Sequence, residues 1–537
     1  MKTMISSIIL ASCLALPLAS CSDSDVAPEQ KDWSTTTYFY SADAAMQDTY
    51  YKPTVGYVGD PMPFFDPVAG DFKVLYLQDF RPNPEGTYHP IWGVSTKDAA
   101  HYTSLGELVS CGTKKSQDAA IGTGSTIYDE ASKLYYTFYT GNKYLPTGDE
   151  SAQAVMVATS ADFKTWTKDR TFLLKGQDFG YDKNDFRDPF VFKGDDGKFH
   201  MLVSTKKSGK GSLAEFVSDD LKNWTDNGVF MTMMWNRFYE CPDLFKMGDY
   251  WYLVYSEIHH AIRRVQYFKG RTLDELKACT ANDAGIWPDA HEGFLDSRGL
   301  YAGKTASDGT NRYLWGWCPT RSGKDNTAVG ASPAEPEWGG NLVCYKLIQH
   351  EDGTLTLGQV DAVSEKYNQD VAVEVKESQN MTEADGTYTL AGNTKQPDAY
   401  MLMGRLGNHN KISFTVTTSN EWDKFGISMV RGSDSKKYYT MVVNPEPEKE
   451  NIRKVNFEEQ GVEGKGFIAG IDGYEFARPA DNVYNITIYT DNSICVMYIN
   501  DVCSYTNRIY GIQKNCWSIN SYNGANVKIS NLQISQY

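Results

Sequence analysis

The chain repeats itself, and the repeat narrows the folds open to it. Between Trp33 and about Val363, helix-period stretches are scarce. Short alternating runs bounded by Gly, Asp and Asn are common, which reads as β-structure. Phe72 to Leu77, Phe199 to Ser204 and Tyr250 to Tyr255 are examples. Each run follows a related preface. Gly59-Asp60-Pro61-Met62 precedes the first, Gly124-Ser125-Thr126-Ile127 the second and Arg187-Asp188-Pro189-Phe190 the third. Glu240-Cys241-Pro242-Asp243 precedes the fourth, and Tyr301-Ala302-Gly303-Lys304 the fifth. The spacing is roughly 50–65 residues, a period typical of propellers and solenoids. A second echo reinforces it: Ser160-Ala161-Asp162-Phe163-Lys164-Thr165-Trp166 resembles Ser218-Asp219-Asp220-Leu221-Lys222-Asn223-Trp224, with Ser95-Thr96-Lys97-Asp98 as a partial third copy.

Five units of four strands predict a five-bladed β-propeller. A generic sandwich also has hairpins that look alike, but it does not account for five spaced copies. In a propeller the innermost strand of each blade lines the central channel. Units one, three and four would begin that strand with Asp60, Asp188 and Glu240, so three acids would converge at one mouth of the channel. Proline just after each acid is tolerated at the first strand position, where no ladder donor is needed. From about Lys366 the texture changes to regular alternation without acid prefaces. Val483 to Thr490, a turn at Asp491-Asn492, and Ser493 to Asn500 form one hairpin. Short strands with turn signals there predict a β-sandwich whose expected job is packing against the propeller.

The N-terminus reads as an export segment. Lys2, the apolar run Ile5 to Leu18 and Leu18-Ala19-Ser20-Cys21 fit a lipoprotein signal cleaved before Cys21, with lipid on its sulfur. An acidic tether, Ser22-Asp23-Ser24-Asp25, follows. The expected layout is a signal over 1–20, a tether over 21–32, the propeller over 33–365 and the sandwich over 366–537. The membrane is then met through the lipid anchor only, at the outer membrane or cell surface, with the periplasmic face as the alternative. No other segment has the ~20 apolar residues of a spanning helix.

Net charge is −16 with no basic block, which argues against nucleic acid as a partner, since binding its phosphates needs clustered Lys and Arg. A neutral oligo- or polysaccharide is compatible with that charge. The cysteines beyond the signal stand at 111, 241, 279, 318, 344, 495, 503 and 516 without zinc spacing, so no metal and no cofactor is expected. His259-His260 has no partner at ligand spacing and reads as a surface or loop pair.

Converging carboxylates repel, which drives their pKa values apart and lets one act as acid while another stays ionised. Retaining glycosidases hold such a pair about 5–5.5 Å apart and inverting ones about 6.5–9.5 Å apart. The three acids by themselves suit β-fructosides, arabinosides or xylosides alike. A non-catalytic glycan-binding lipoprotein would not need all three.

Arg187-Asp188-Pro189 and Glu240-Cys241-Pro242-Asp243, with Asp60-Pro61 ahead of them and Trp338-Gly339-Gly340 behind, resemble the signatures of glycoside hydrolase family 32. These are the invertases, inulinases and levanases. The resemblance covers essentially the whole chain after the signal. It implies cleavage of β-fructofuranosidic bonds with retention. Asp60 would be the nucleophile, Glu240 the acid/base and Asp188 the stabiliser of the oxocarbenium-like transition state. Arg187 would orient the acids, as a guanidinium fork fixes carboxylate geometry. Cys241 would tune Glu240 through a weak S–H contact. Trp92, Gln78, Ser125 and Trp317 are candidates for the sugar pocket. The run Tyr57-Val58-Gly59-Asp60-Pro61-Met62-Pro63 departs from the family's Trp, Met, Asn, Asp, Pro, Asn, Gly, and the departure bears on the sugar pocket.

Overall fold

The computed structural model describes residues 49–537 apart from 81–87, 234–236, 258–262, 280–291, 322–335, 432–437, 447–448, 450, 461–472 and 514. Cys21 and the His259-His260 pair lie outside the described residues. The chain is nearly all antiparallel strand, arranged as a propeller followed by a sandwich. Three sheets of four strands start from the inner strands Ala120–Asp129, Phe186–Lys193 and Glu240–Met247. A fourth, larger sheet holds two hairpin groups, led by Tyr57–Asp66 and Tyr301–Ser307. They join where Val58 pairs with Gly340 of the long strand Pro336–Gln349. First and last groups of the propeller are thereby hydrogen-bonded to each other.

The second sequence echo has a physical cause. Asp162 accepts from the backbone of Lys164 and Thr165, and Ser160 donates to it. Asp220 does the same for Lys222 and Asn223, with Ser218. Asp98 repeats it with Ala100, His101 and Thr96. The residue after each aspartate, Phe163, Leu221 and Ala99, has positive φ. One Asx turn is therefore used three times to end the outer hairpins.

The prefaces are bulges. In the first inner strand the pairing jumps from Gly59 to Met62, and in the fourth from Glu240 to Asp243. The fifth jumps from Tyr301 to Lys304, the third between Arg187 and Phe190, and the second between Gly122 and Gly124. Asp60, Asp188, Cys241 and Ala302 all have positive φ at this step. A bulge re-aims a side chain and frees its backbone from the ladder. Pro61, Pro189 and Pro242 occupy the freed position. Asp60 and Asp188 thus sit at bulges inside their strands, whereas the sequence placed each at a strand start; Glu240 does open its strand. The offset of proline from Glu240 is also explained: Glu240 aligns with Gly59 and Arg187, and Cys241 aligns with Asp60 and Asp188.

Two further sheets, of eight and seven strands, stack into the sandwich. Strand His409–Thr418 alternates buried and half-buried residues, and Ile412, Phe414 and Val416 face Phe425, Ile427 and Met441 in one core. The hairpin turn falls one residue later than the sequence suggested: Asp491 pairs with Ile494, and Asn492 carries the positive φ. The 365/366 boundary falls inside the helix Asp361–Lys366. Propeller and sandwich share a core that includes Leu295, Leu300, Tyr345, Ile494, Val496 and Tyr498. Buried Asp296 accepts from Ser504 and from the backbone and hydroxyl of Thr506. Arg508 donates to the carbonyls of Pro319 and Cys318 at 2.7 and 2.9 Å. The sandwich therefore braces the strand that presents Trp317.

Candidate active site

The bulges bring the three acids into one ring of contacts. Thr123 Oγ1 donates to Asp60 Oδ2 at 2.7 Å, and Cys241 Sγ lies 3.9 Å from the same hydroxyl. The Cys241 backbone N–H donates to Asp188 Oδ2 at 2.9 Å. Arg187 Nε is 4.0 Å from that oxygen, and its Nη2 donates to Glu240 Oε1 at 2.8 Å. Tyr301 hydroxyl donates to Glu240 Oε2. The Tyr301 ring meets Trp317 edge-on at 5.7 Å, and Trp317 Nε1 closes the ring by donating to Asp60 Oδ1 at 3.0 Å.

Each acid has a different environment. Asp60 faces two neutral donors, and burial raises its pKa against their pull. Asp188 is 4% exposed. Burial pushes it up to about 6, although Arg187 pulls it down, and the Glu240 charge adds to the rise. Its Oδ1 has no partner among the described residues, so one lone-pair face stays open. Glu240 is held by one guanidinium and one phenol. Arg187 also binds Asp185 at 2.7 Å and lies over the Phe238 ring at 4.0 Å, which fixes its plane. Beneath the acids, buried Lys304 donates to the carbonyl of Gly124 at 2.7 Å, and burial lowers its pKa.

Trp317 and Arg187 take part in the ring. Four other expectations need correction. Ser125 is a staple between units: its buried hydroxyl spends its one proton on the carbonyl of Pro189 and accepts from the N–H of Val191. Gln78 is buried and its amide donates to the carbonyl of Val55, tying down the segment before the first inner strand. Trp92 is on the third strand of its sheet, opposite Tyr76, with Phe80 edge-on at 5.8 Å. The strand Asp71–Asp79 separates it from the inner strand and its ring packs on the propeller core. Cys241 meets Asp188 through its N–H and Thr123 through its thiol, where a hydrogen-bonding contact of the thiol with Glu240 was expected.

Sequence reasoning missed Thr123, Tyr301 and Arg263. Alignment of the prefaces on their bulges would have found the first two, since Thr123 aligns with Asp60 and Tyr301 with Glu240. Arg263 stacks on both Tyr301 and Trp317, at 4.7 and 4.8 Å from the ring centroids. It thereby lies against two of the donors that hold Glu240 and Asp60. Trp338 explains the departure at Gly59: a Cβ there would lie 2.1 Å from the indole. His89 stacks on the same indole at 4.0 Å, so a wall of aromatic rings stands where a larger residue at position 59 would project.

A propeller with acids at its bulged inner strands, backed by a sandwich, is the architecture of a class of glycosyl hydrolases. The profile of the glycosyl hydrolases family 32 N-terminal domain matches residues 50–361, and that of the GH32, BT1760-like, C-terminal domain matches residues 353–534. The chain belongs to glycosyl hydrolase family 32. Among its relatives, the Arabidopsis thaliana beta-fructofuranosidase, insoluble isoenzyme CWINV2, is 26% identical over 310 residues, 52% of this chain and 50% of that protein. The Escherichia coli sucrose-6-phosphate hydrolase is 28% identical over 38% of this chain and 43% of its own. The matches span about half the length of these curated relatives. The fold is shared with sucrose-6-phosphate hydrolase from Lactobacillus gasseri, at a TM-score of 0.66 and 19% identity over 93% of this chain and 97% of that one. It is shared equally with fructan 1-exohydrolase IIa from Cichorium intybus, at a TM-score of 0.66 and 15% identity over 91% and 97%.

Proposed function

We propose that this chain is a retaining β-fructosidase of fructans or fructo-oligosaccharides, working outside the cell from a lipid anchor at Cys21. The observation that carries the reading is the closed ring joining Asp60, Asp188 and Glu240 through differing donors. Asp60, ionised between a hydroxyl and an indole N–H, attacks the anomeric carbon. Glu240, steered by Arg187 and Tyr301, gives its proton to the leaving oxygen and then takes one from water. Asp188 offers its open Oδ1 to sugar hydroxyls and stabilises the oxocarbenium-like transition state. The order of sheets supports five blades: three sheets of four strands plus two hairpin groups merged into one sheet. The bond-cleaving names of the relatives, invertase, exo-inulinase and fructan exohydrolase, support the fructosyl part of the reading.

The test is hydrolysis of levan, inulin and sucrose by the wild type, D60N and E240Q, with products separated by chromatography. Fructose alone marks exo action, and a ladder marks endo action. Proton NMR of the first-formed anomer reads the stereochemistry. No sugar released from any of the three by the wild type refutes the fructoside reading; an inverted product refutes Asp60 as nucleophile. Labelled fatty acid incorporated into wild type but not C21A checks the anchor.

A further inference from the structure

The sandwich carries an exposed indole on a turn whose backbone its surroundings hold in place. Trp422 lies in the turn between the strands His409–Thr418 and Lys424–Arg431 and is 56% exposed. Isolated exposed apolar residues are ordinary in folded proteins. This one differs in how its backbone is fixed. Asp423 accepts from the N–H groups of Ser419 and Asn420 at 2.8 and 3.1 Å and from the Asn420 amide at 3.1 Å. Asn420 Oδ1 accepts from the Trp422 N–H at 2.8 Å. The carbonyl of Asp423 is held at 2.9 Å by Arg453, which is fully buried and also donates to Tyr484. The turn is thus tied to the sandwich core while its largest apolar surface is left in water.

The indole borders a cleft of about 400 Å³, also lined by Asn420, Lys424, Asn444, Tyr522 and Asn523. That size is within the range of small-ligand clefts. Tyr522 brings a second aromatic ring to the cleft lining, with Lys424 Nζ over one of its faces at 5.4 Å. The Asn523 side-chain amide makes no hydrogen bond to a described residue, and Asn444 makes only one, at 3.5 Å to the carbonyl of Val442. The Asp423 carboxylate is consumed by the turn, and Lys424 is the single cation among the described residues that line the cleft. A flat apolar ring beside amides that both donate and accept fits a neutral sugar, whose C–H face stacks while its hydroxyls take the amides. Charged ligands would find no matching cluster. The rigid turn lowers the entropy lost on binding.

We propose that this cleft is a second, non-catalytic carbohydrate site. It would hold a neutral oligosaccharide segment of the polymer that the propeller cleaves. The sugar class follows from the cleft itself; that the polymer is a fructan rests on the proposed function above. Such a site keeps the enzyme on its polymer between cleavage events without touching the bond that breaks.

The test uses the full chain carrying D60N, so that polymer is not degraded, and compares it with W422A/D60N and W422F/D60N. Native gels containing levan, inulin, dextran, arabinan or xylan report retardation. Retardation by at least one polymer should weaken about fivefold or more with W422A, the loss expected when an aromatic anchor is truncated, and be largely kept by W422F. W422A alone should leave kcat/KM on sucrose or a trisaccharide unchanged while raising KM on the polymer. Equal retardation of D60N and W422A/D60N in every gel overturns the proposal, as does an absence of retardation throughout. Trp422-dependent retardation by a polymer other than a fructan keeps the sugar site and counts against the fructan. Failure of the fructosidase reading is seen separately, as absence of fructose release by the wild type.

Discussion

Asp188→Asn should make the protein more stable at neutral pH while removing its activity. Burial pushes the Asp188 carboxyl from its ordinary 3.8 up to about 6. A raised pKa means that the folded state binds the proton more tightly than the unfolded chain does. Ionising Asp188 therefore costs stability: nothing below about pH 4, progressively more through the window to about pH 6, and the full amount above it. The difference between 3.8 and about 6 corresponds to about 3 kcal/mol. Asparagine keeps an oxygen for the Cys241 N–H but accepts more weakly than a carboxylate, which returns about 1 kcal/mol of the gain. Arg187 retains Asp185 and Glu240 as partners, so it is not orphaned. The expected gain is about 1–3 kcal/mol at pH 7.5, shrinking toward zero near pH 4. Urea unfolding of both proteins, followed by tryptophan fluorescence across that pH range, measures it. A variant no more stable than wild type at pH 7.5, or a difference that does not change with pH, refutes the reasoning that burial governs this carboxyl.

Tyr301→Phe removes a donor to the Glu240 carboxylate and should lower kcat about 10- to 100-fold with KM little changed, as read by steady-state kinetics. Ser125→Ala breaks the staple to Pro189 and Val191. It should cost about 1–2 kcal/mol in urea unfolding and leave KM unchanged; a large rise in KM would restore Ser125 to the sugar pocket. Gly59→Ala places a methyl 2.1 Å from the Trp338 indole and should destabilise by about 1–3 kcal/mol, with thermal unfolding as the readout. Pairing it with Trp338→Ala should recover part of that loss.

The sequence determined the architecture and the chemical inventory. Periodicity is local: strands, turns and the three Asx turns at Asp98, Asp162 and Asp220 are written in runs of a few residues, so they read off directly. Asp60, Asp188 and Glu240 were legible because acid followed by proline recurs against a repeating background. The tertiary structure decided which neighbours complete the site. Thr123 and Tyr301 show themselves only once the prefaces are aligned on their bulges, and Arg263 carries no local signal. A hydroxyl, a phenol and a guanidinium acquire their roles only when separate inner strands meet around one channel. Ser125 and Gln78 show the reverse. Each was a candidate for the sugar pocket, yet packing buried both, with the Ser125 hydroxyl and the Gln78 amide N–H turned to backbone carbonyls. Bulge geometry also lay beyond the sequence, because a register shift is a property of two paired strands. It is the bulge that turns the aligned side chains of five strands toward a common centre.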